Sequence, residues 1–201
     1  MRILLVRHGQ TEGNKVHRFI GGRTDEPVSE SGKEELKKRK YPRPEHVFSS
    51  PMLRCVETSG LVFDQWQPEI LEGFRECDFG ILEGKTHEEL LGNPRYDAFI
   101  RTPDAGTFPG GEEIEAFNRR SFEALKEAVK RGRKAGASFI GCTVHGGTIM
   151  AVMSALFPEE EYYHWNVANG EGYLLEIDEE EWEQGRYAGT LADGADGRIY
   201  T

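Results

Sequence analysis

The chain has 201 residues, 37% of them hydrophobic and 10% aromatic, which is about one domain's worth and enough to bury roughly 70% of the unfolded surface, so disorder throughout is excluded. Lys and Arg number 25 against 35 Asp and Glu, and the formal charge of −10 excludes nucleic acid and anionic membrane surfaces as general partners. The apolar stretches Ile3 to Val6 and Thr148 to Phe157 fall far short of the roughly 20 residues of a membrane span, no secretory leader precedes the first strand, and the odd count of Cys55, Cys77 and Cys142 rules out a complete disulfide framework, so a cytoplasmic location is expected.

Arg2 to Arg7 is a continuous β-prone run, the pattern of a strand covered on both faces. Ser31-Gly-Lys-Glu34 has capping-box spacing and starts a predicted helix through about Arg39. A strand is predicted at His46 to Ser49. Ser50-Pro51 then offers an N-cap and a proline at the first helical position, for a helix to about Asp64 that buries Met52, Leu53, Val56, Leu61 and Val62. After a brief strand, Glu69 to Leu71, the pattern changes. From Gly73 to Gly111, short polar segments and Pro94, Pro103 and Pro109 predict an excursion away from the sheet, a lid with helical pieces at Thr86 to Leu91 and Arg95 to Ile100.

Glu112 to Arg131 carries Ile114, Phe117, Phe122, Leu125 and Val129 near period 3.6 and is the longest predicted helix. Ser138 to Val144 reads as the second deeply buried strand, Thr148 to Leu156 as an apolar helix, and Gly172 to Ile177 and Arg186 to Leu191 as closing strands. The acidic runs read as a helix start at Glu159 to Glu161 and a solvated turn at Glu179 to Glu181. This order predicts a three-layer α/β/α sandwich with a mostly parallel central sheet and a helical lid excursion at about 73–111, within one domain spanning 1–201. Open sheets of this kind bind ligands at the carboxyl ends of their strands.

Both buried strands end in histidine and glycine, Val6-Arg7-His8-Gly9 and Val144-His145-Gly146-Gly147. One such ending is ordinarily a satisfied structural histidine; two on neighbouring strands point to a reactive site. Arg7 follows four aliphatic residues and carries an obligate charge that needs an anion, a surface acidic residue or a ligand. Arg54, one turn after Ser49-Ser50-Pro51, can reach the same strand ends. His17, His46, His87 and His164 show no metal-ligand spacing, so no metal site is expected. The absence of a G-x-x-x-x-G-K-[ST] run leaves no nucleotide-cradling P-loop.

Arg7-His8-Gly9-Gln10-Thr11-Glu12-Gly13-Asn14, Ser49-Ser50-Pro51-Met52-Leu53-Arg54 and Val144-His145-Gly146-Gly147 resemble the principal motifs of the histidine phosphatase superfamily, also called phosphoglycerate mutase-like. Gly22-Arg-Thr-Asp-Glu-Pro-Val-Ser29, Glu76-Cys-Asp-Phe-Gly-Ile-Leu-Glu-Gly84 and Pro109-Gly-Gly-Glu112 are similar to further stretches of it, and the likeness covers nearly the whole chain in the family's order. The resemblance implies that His8 attacks phosphorus and is transiently phosphorylated. It implies that Arg7, Arg54 and His145 hold the phosphoryl oxygens, and that Asn14 with the backbone N–H groups of Gly21, Gly22 and Gly146 completes the cradle. Glu76 occupies the general-acid position, with Asp78 as the rival carboxylate. No metal or other cofactor is implied.

The sequence departs from the family pattern at Leu82, where Trp is common, at Glu113, where Ser is common, and at Val144, where Ser or Thr is common; these positions bear on pocket shape. The resemblance therefore implies a metal-independent phosphomonoesterase acting on a small phosphate ester, nearest the α-ribazole and broad-specificity phosphatases. Phosphoglycerate mutase is the first alternative, although the mutases carry a longer lid insertion. A catalytically inactive phospholigand-binding module is the second. Phe79, Tyr96, Phe99, Phe108 and Trp165 are candidates either for an apolar wall beside an aromatic leaving group or for plain core.

Overall fold

Ile3, Leu4, Leu5 and Val6 are all buried because both faces of the first strand are covered, which is why four aliphatic residues stand there without alternation. The computed structural model describes residues 1–65, 67–101 and 107–192 and the backbone of 198–199. Its strands are β1 (Arg2–Arg7), β2 (His46–Ser49), β3 (Glu69–Ile70), β4 (Phe139–Val144), β5 (Gly172–Glu176), β6 (Thr190–Leu191) and β7 (Arg198–Ile199). Its α-helices are α1 (Glu12–Lys15), α2 (Glu30–Lys38), α3 (Leu53–Val62), α4 (His87–Leu90), α5 (Pro94–Arg101), α6 (Ile114–Lys134), α7 (Gly146–Leu156) and α8 (Glu179–Glu183).

The sheet order is β3-β2-β4-β1-β5-β6, with β7 also pairing β5. β3, β2, β4 and β1 are mutually parallel, and β5 joins β1 antiparallel. Ile3 and Leu5 pack with Leu125 and Val129 of α6 and Ile149 and Val152 of α7. Leu4 and Val6 face the other way, onto Phe63 and Val62 at the end of α3. Helices on both faces of a mixed, mostly parallel sheet make a three-layer α/β/α sandwich, as the element order predicts.

Local differences from the predicted elements have identifiable causes. Ser29, rather than Ser31, caps α2, because its hydroxyl accepts from the Gly32 N–H at 3.0 Å. Ser50 does not cap α3, whose N-cap is Met52; its hydroxyl is instead 2.7 Å from His145. The predicted turn at Glu179 to Glu181 is the start of α8, capped by Asp178, which accepts from the N–H groups of Glu180 and Glu181. Arg186 consequently pairs with Glu181, and the predicted strand from Arg186 keeps only Thr190–Leu191. The excursion carries its two helical pieces, α4 and α5, on a small core of Leu82, Leu90 and Tyr96; Pro103 lies outside the described residues. Among the described residues no helix is long and apolar enough to cross a membrane.

Candidate active site

The parallel pairing of β1 with β4 sets Arg7 opposite Val144, so the next residues, His8 and His145, leave adjacent strand ends side by side. The His8 N–H extends the ladder by one step, donating to the Val144 carbonyl at 2.9 Å. Their rings meet edge-on, with centroids 5.2 Å apart. His8 Nδ1 is 2.8 Å from the Gly9 carbonyl; a carbonyl only accepts, so Nδ1 carries the proton and Nε2 of the neutral ring offers a lone pair. Burial, then the nearby Arg54 and Arg7 guanidinium groups, push the His8 imidazolium well below the ordinary histidine range. A neutral imidazole with an unprotonated Nε2 is the form that can act as a nucleophile.

His145 is fully buried, with Nε2 2.7 Å from Ser50 Oγ and 3.5 Å from Cys55 Sγ. Burial first, then Arg54, hold it neutral too. Arg54 is also fully buried on α3, its Nη1 donating to the Thr24 carbonyl at 2.8 Å and its Nη2 to the Gly21 carbonyl at 3.1 Å. Arg7 Nη1 donates to the Val167 carbonyl at 2.5 Å. The Nε atoms of both arginines are buried without a partner among the described residues. Such an orphaned donor costs about 1–3 kcal/mol, a cost that an anion lodged between the two arginines would offset.

Glu76 lies just past the start of the excursion and is buried. Its Oε1 accepts from the Cys77 N–H at 2.9 Å and its Oε2 from the Gly147 N–H, at the start of α7, at 3.3 Å. Burial raises its pKa above the ordinary carboxylate value, against the opposing pull of the Cys77 N–H and the arginines, which favours the protonated form a general acid needs. Asp78, the rival carboxylate, is turned to Arg23 at 2.7 Å and accepts from the Gly80 N–H.

A cavity of about 590 Å³ opens over these groups, bordered by Arg7, His8, Asn14, Glu76 and Gly146 at one end. Arg54 and His145 lie behind its wall. Asn14 is the third residue of α1; its Oδ1 accepts from the Thr11 N–H and from Asn169 Nδ2, both at 3.2 Å, which leaves its own amide N–H groups for the cavity. Gly146 is the first residue of α7, so its N–H has no intrahelical acceptor. Gly21 and Gly22 do not border the cavity. Their N–H groups donate to Glu83 Oε2 at 3.1 Å and to the Cys77 carbonyl at 2.8 Å. A Cβ on Gly21 would come within 2.5 Å of the Cys77 carbonyl and one on Gly22 within 2.6 Å of the Glu76 carbonyl. These glycines let their strand of chain lie against the Glu76 segment, and Gly21 orients Arg54 through its carbonyl.

Phe79, Phe99 and Phe108 line the cavity together with Phe19 and Tyr163, and Phe117 lines it beside Gly147 and Glu76, whereas Tyr96 and Trp165 belong to the core. All three cysteines are buried and unpaired with one another. Sequence reasoning misses Arg18, Tyr162, Tyr163 and Asn166 of the cavity wall, which come from segments with no periodic pattern. It also misses Arg120. Reaching back from α6, Arg120 donates to the carbonyls of Gly73, Arg75 and Glu76 at 2.9, 2.6 and 3.1 Å and forms a two-pronged pair with Glu112. Glu112 lies just before α6, so the chain folds it back onto Arg120 and no helical spacing in the sequence signals the pair.

Among the described residues no group of three or more His, Cys, Asp or Glu side chains is placed to hold a metal ion. The family described as the histidine phosphatase superfamily (branch 1) matches residues 3–189. A broad-specificity phosphatase of Saccharomyces cerevisiae is 27% identical over 176 residues, covering 82% of this chain and 74% of its own. Among solved structures, an α-ribazole phosphatase from Shigella flexneri superposes with a TM-score of 0.78 at 23% identity over 94% of each chain, a likeness of fold. A phosphoglycerate mutase from Thermus thermophilus superposes with a TM-score of 0.68 at 28% identity, over 100% of this chain and 99% of that one.

Proposed function

Because the chain belongs to the histidine phosphatase superfamily (branch 1) and carries a histidine-phosphatase active site, we propose that it is a metal-independent phosphomonoesterase that works through phosphorylated His8. The observation that carries this reading is the pairing, in one cavity, of a neutral His8 offering Nε2 with a Glu76 whose pKa is raised. A phosphate monoester binds with its phosphoryl group at His8. The oxygens take donors of Arg7, the Asn14 amide and the Gly146 N–H at the head of α7, where the helix dipole also favours an anion, and the buried Arg54 guanidinium supplies positive charge from behind the wall. His145, held by Ser50, backs the site and shares the developing charge.

The His8 Nε2–phosphorus bond forms as the phosphorus–oxygen bond to the leaving group breaks, and Glu76 gives its proton to the departing alkoxide. The resulting Glu76 carboxylate takes a proton from water, whose oxygen bonds to phosphorus while the Nε2–phosphorus bond breaks. Inorganic phosphate leaves and both residues return to their starting forms.

The aromatic outer wall favours an uncharged, apolar leaving group. An aromatic nucleoside such as that of α-ribazole 5′-phosphate fits this description, whereas the relatives include both phosphatases and mutases and leave that choice to the assay. Phosphate release from nitrophenyl phosphate, α-ribazole 5′-phosphate, 3-phosphoglycerate and sugar phosphates, in excess chelator and with a His8→Ala control, tests the proposal. Chelator-resistant release that depends on His8 and is fastest for the aromatic esters is the expected result. Interconversion of 3- and 2-phosphoglycerate without release would establish a mutase, and silence in both assays a binding module.

A further inference from the structure

Apart from Arg7 beside His8, Arg18 is the single lysine or arginine bordering the cavity among the described residues. Its fork is already filled. Nη1 and Nη2 reach the two carboxylate oxygens of Glu89 at 2.7 and 2.9 Å, and Nη1 also donates to the Gly84 carbonyl. Glu89 is held from the other side as well: it is the third residue of α4, and its Oε2 accepts from the Thr86 N–H at 3.1 Å in a capping box. The rest of this half of the wall is Phe19, Phe79, Phe99 and Phe108. A leaving group carrying its own carboxylate or phosphate therefore meets no open cation here, because the Arg18 fork is held by Glu89 from outside the cavity lining.

We infer that Glu89 determines specificity: by occupying Arg18 it turns away phosphate esters whose leaving group bears a second anion. The inference rests on the phosphomonoesterase reading and adds the class of substrate that the site rejects. Two anions compete for one guanidinium, and the resident one is prepositioned by its helix cap. The order of the contest reverses when the resident charge is removed.

Glu89→Gln removes that charge and keeps an oxygen for the Thr86 N–H, since Gln serves at this capping position as Glu does. The readout is kcat/KM for 3-phosphoglycerate divided by that for nitrophenyl phosphate. In Glu89→Gln the ratio should rise about tenfold, a change that shrinks as salt screens the freed Arg18. It should stay at the wild-type value in Arg18→Gln, where the lost cation was already neutralised, and return to that value in the double variant. An unchanged ratio in Glu89→Gln, or a rise that survives the loss of Arg18, overturns the inference. So does a fall in Arg18→Gln, which carries the test even if Glu89→Gln does not fold. Wild-type protein that releases no phosphate from nitrophenyl phosphate would sink the phosphomonoesterase reading itself, before any ratio is read.

Discussion

The carboxyl end of the sheet and the excursion over it are built on different physical terms. His8 and His145 are fixed by strand pairing, with Val6 and Val144 buried beneath them and helices packed on both sheet faces. Within the excursion Leu82, Leu90 and Tyr96 form a small core of their own, whereas Phe74 and Cys77 are buried against α6 and α7, and the rest leans on cavity aromatics, with Phe79 and Phe108 centroids 4.9 Å apart. The proposed nucleophile thus stands on the most constrained part of the molecule, while the proposed leaving-group wall stands on a thinly packed one. Glu76 is at the junction, tied to α7 through Gly147 and to α6 through Arg120. The comparison teaches that, on the proposed mechanism, phosphoryl chemistry and substrate choice should be separable in this chain.

The largest separation should appear in Glu76→Gln. Loss of the proton donor should cost about 10²- to 10⁴-fold in kcat for alkyl phosphates, with a much smaller loss for nitrophenyl phosphate, whose leaving group needs little protonation. Equal losses on both would remove Glu76 as the acid. Leu5→Ala, at the centre of the sheet, should lower unfolding free energy by about 2–5 kcal/mol in denaturant titration while leaving the activity of the folded fraction intact. Leu90→Ala should cost less in global stability, about 2 kcal/mol, because its small cluster relaxes around the gap, and it should raise KM for aromatic esters. A Leu90→Ala protein as destabilised as Leu5→Ala would erase the contrast between the regions.

Arg120→Met probes the junction. By loosening the carbonyls of Gly73, Arg75 and Glu76 it should slow alkyl phosphates more than nitrophenyl phosphate, about tenfold in relative terms, with partial recovery in Arg120→Lys. The pH dependence sharpens the same point. In the proposed mechanism the active form has His8 neutral and Glu76 protonated. Activity therefore rises with pH through a His8 pKa below the ordinary 6.5 and falls through a Glu76 pKa above the ordinary 4.5. Recording kcat/KM for an alkyl phosphate against pH should show the falling limb vanish in Glu76→Gln, a limb that is shallow for nitrophenyl phosphate even in the unaltered protein.

The two regions also differ in how far they can be read from the sequence. β1 is legible because an uninterrupted aliphatic run has few alternative readings, and β4 because Phe139–Val144 carries no charged residue and is bounded by polar ones, and the His-Gly endings follow directly. The excursion is visible only as a break in pattern: its prolines mark the detour, whereas the meeting of Phe19 with Phe79 and Phe108 depends on tertiary contacts. α1 has four residues, too short for a period, although Thr11 and Asn14 have capping spacing. Gly21 and Gly22 are cradle candidates only through the family resemblance, and in the structure they serve a close approach instead. The approach is made to the Glu76–Cys77 backbone, and only coordinates identify that neighbour.

The most direct test of the account is to mix the protein with a phosphate ester labelled in its phosphoryl group, quench within one turnover, and locate the label. The account predicts an alkali-stable, acid-labile phosphoramidate on the peptide containing His8, which forms before free phosphate appears, decays as phosphate is released, and is absent in His8→Ala. Phosphate released with no label on the protein, or a label carried by any other residue, would contradict it.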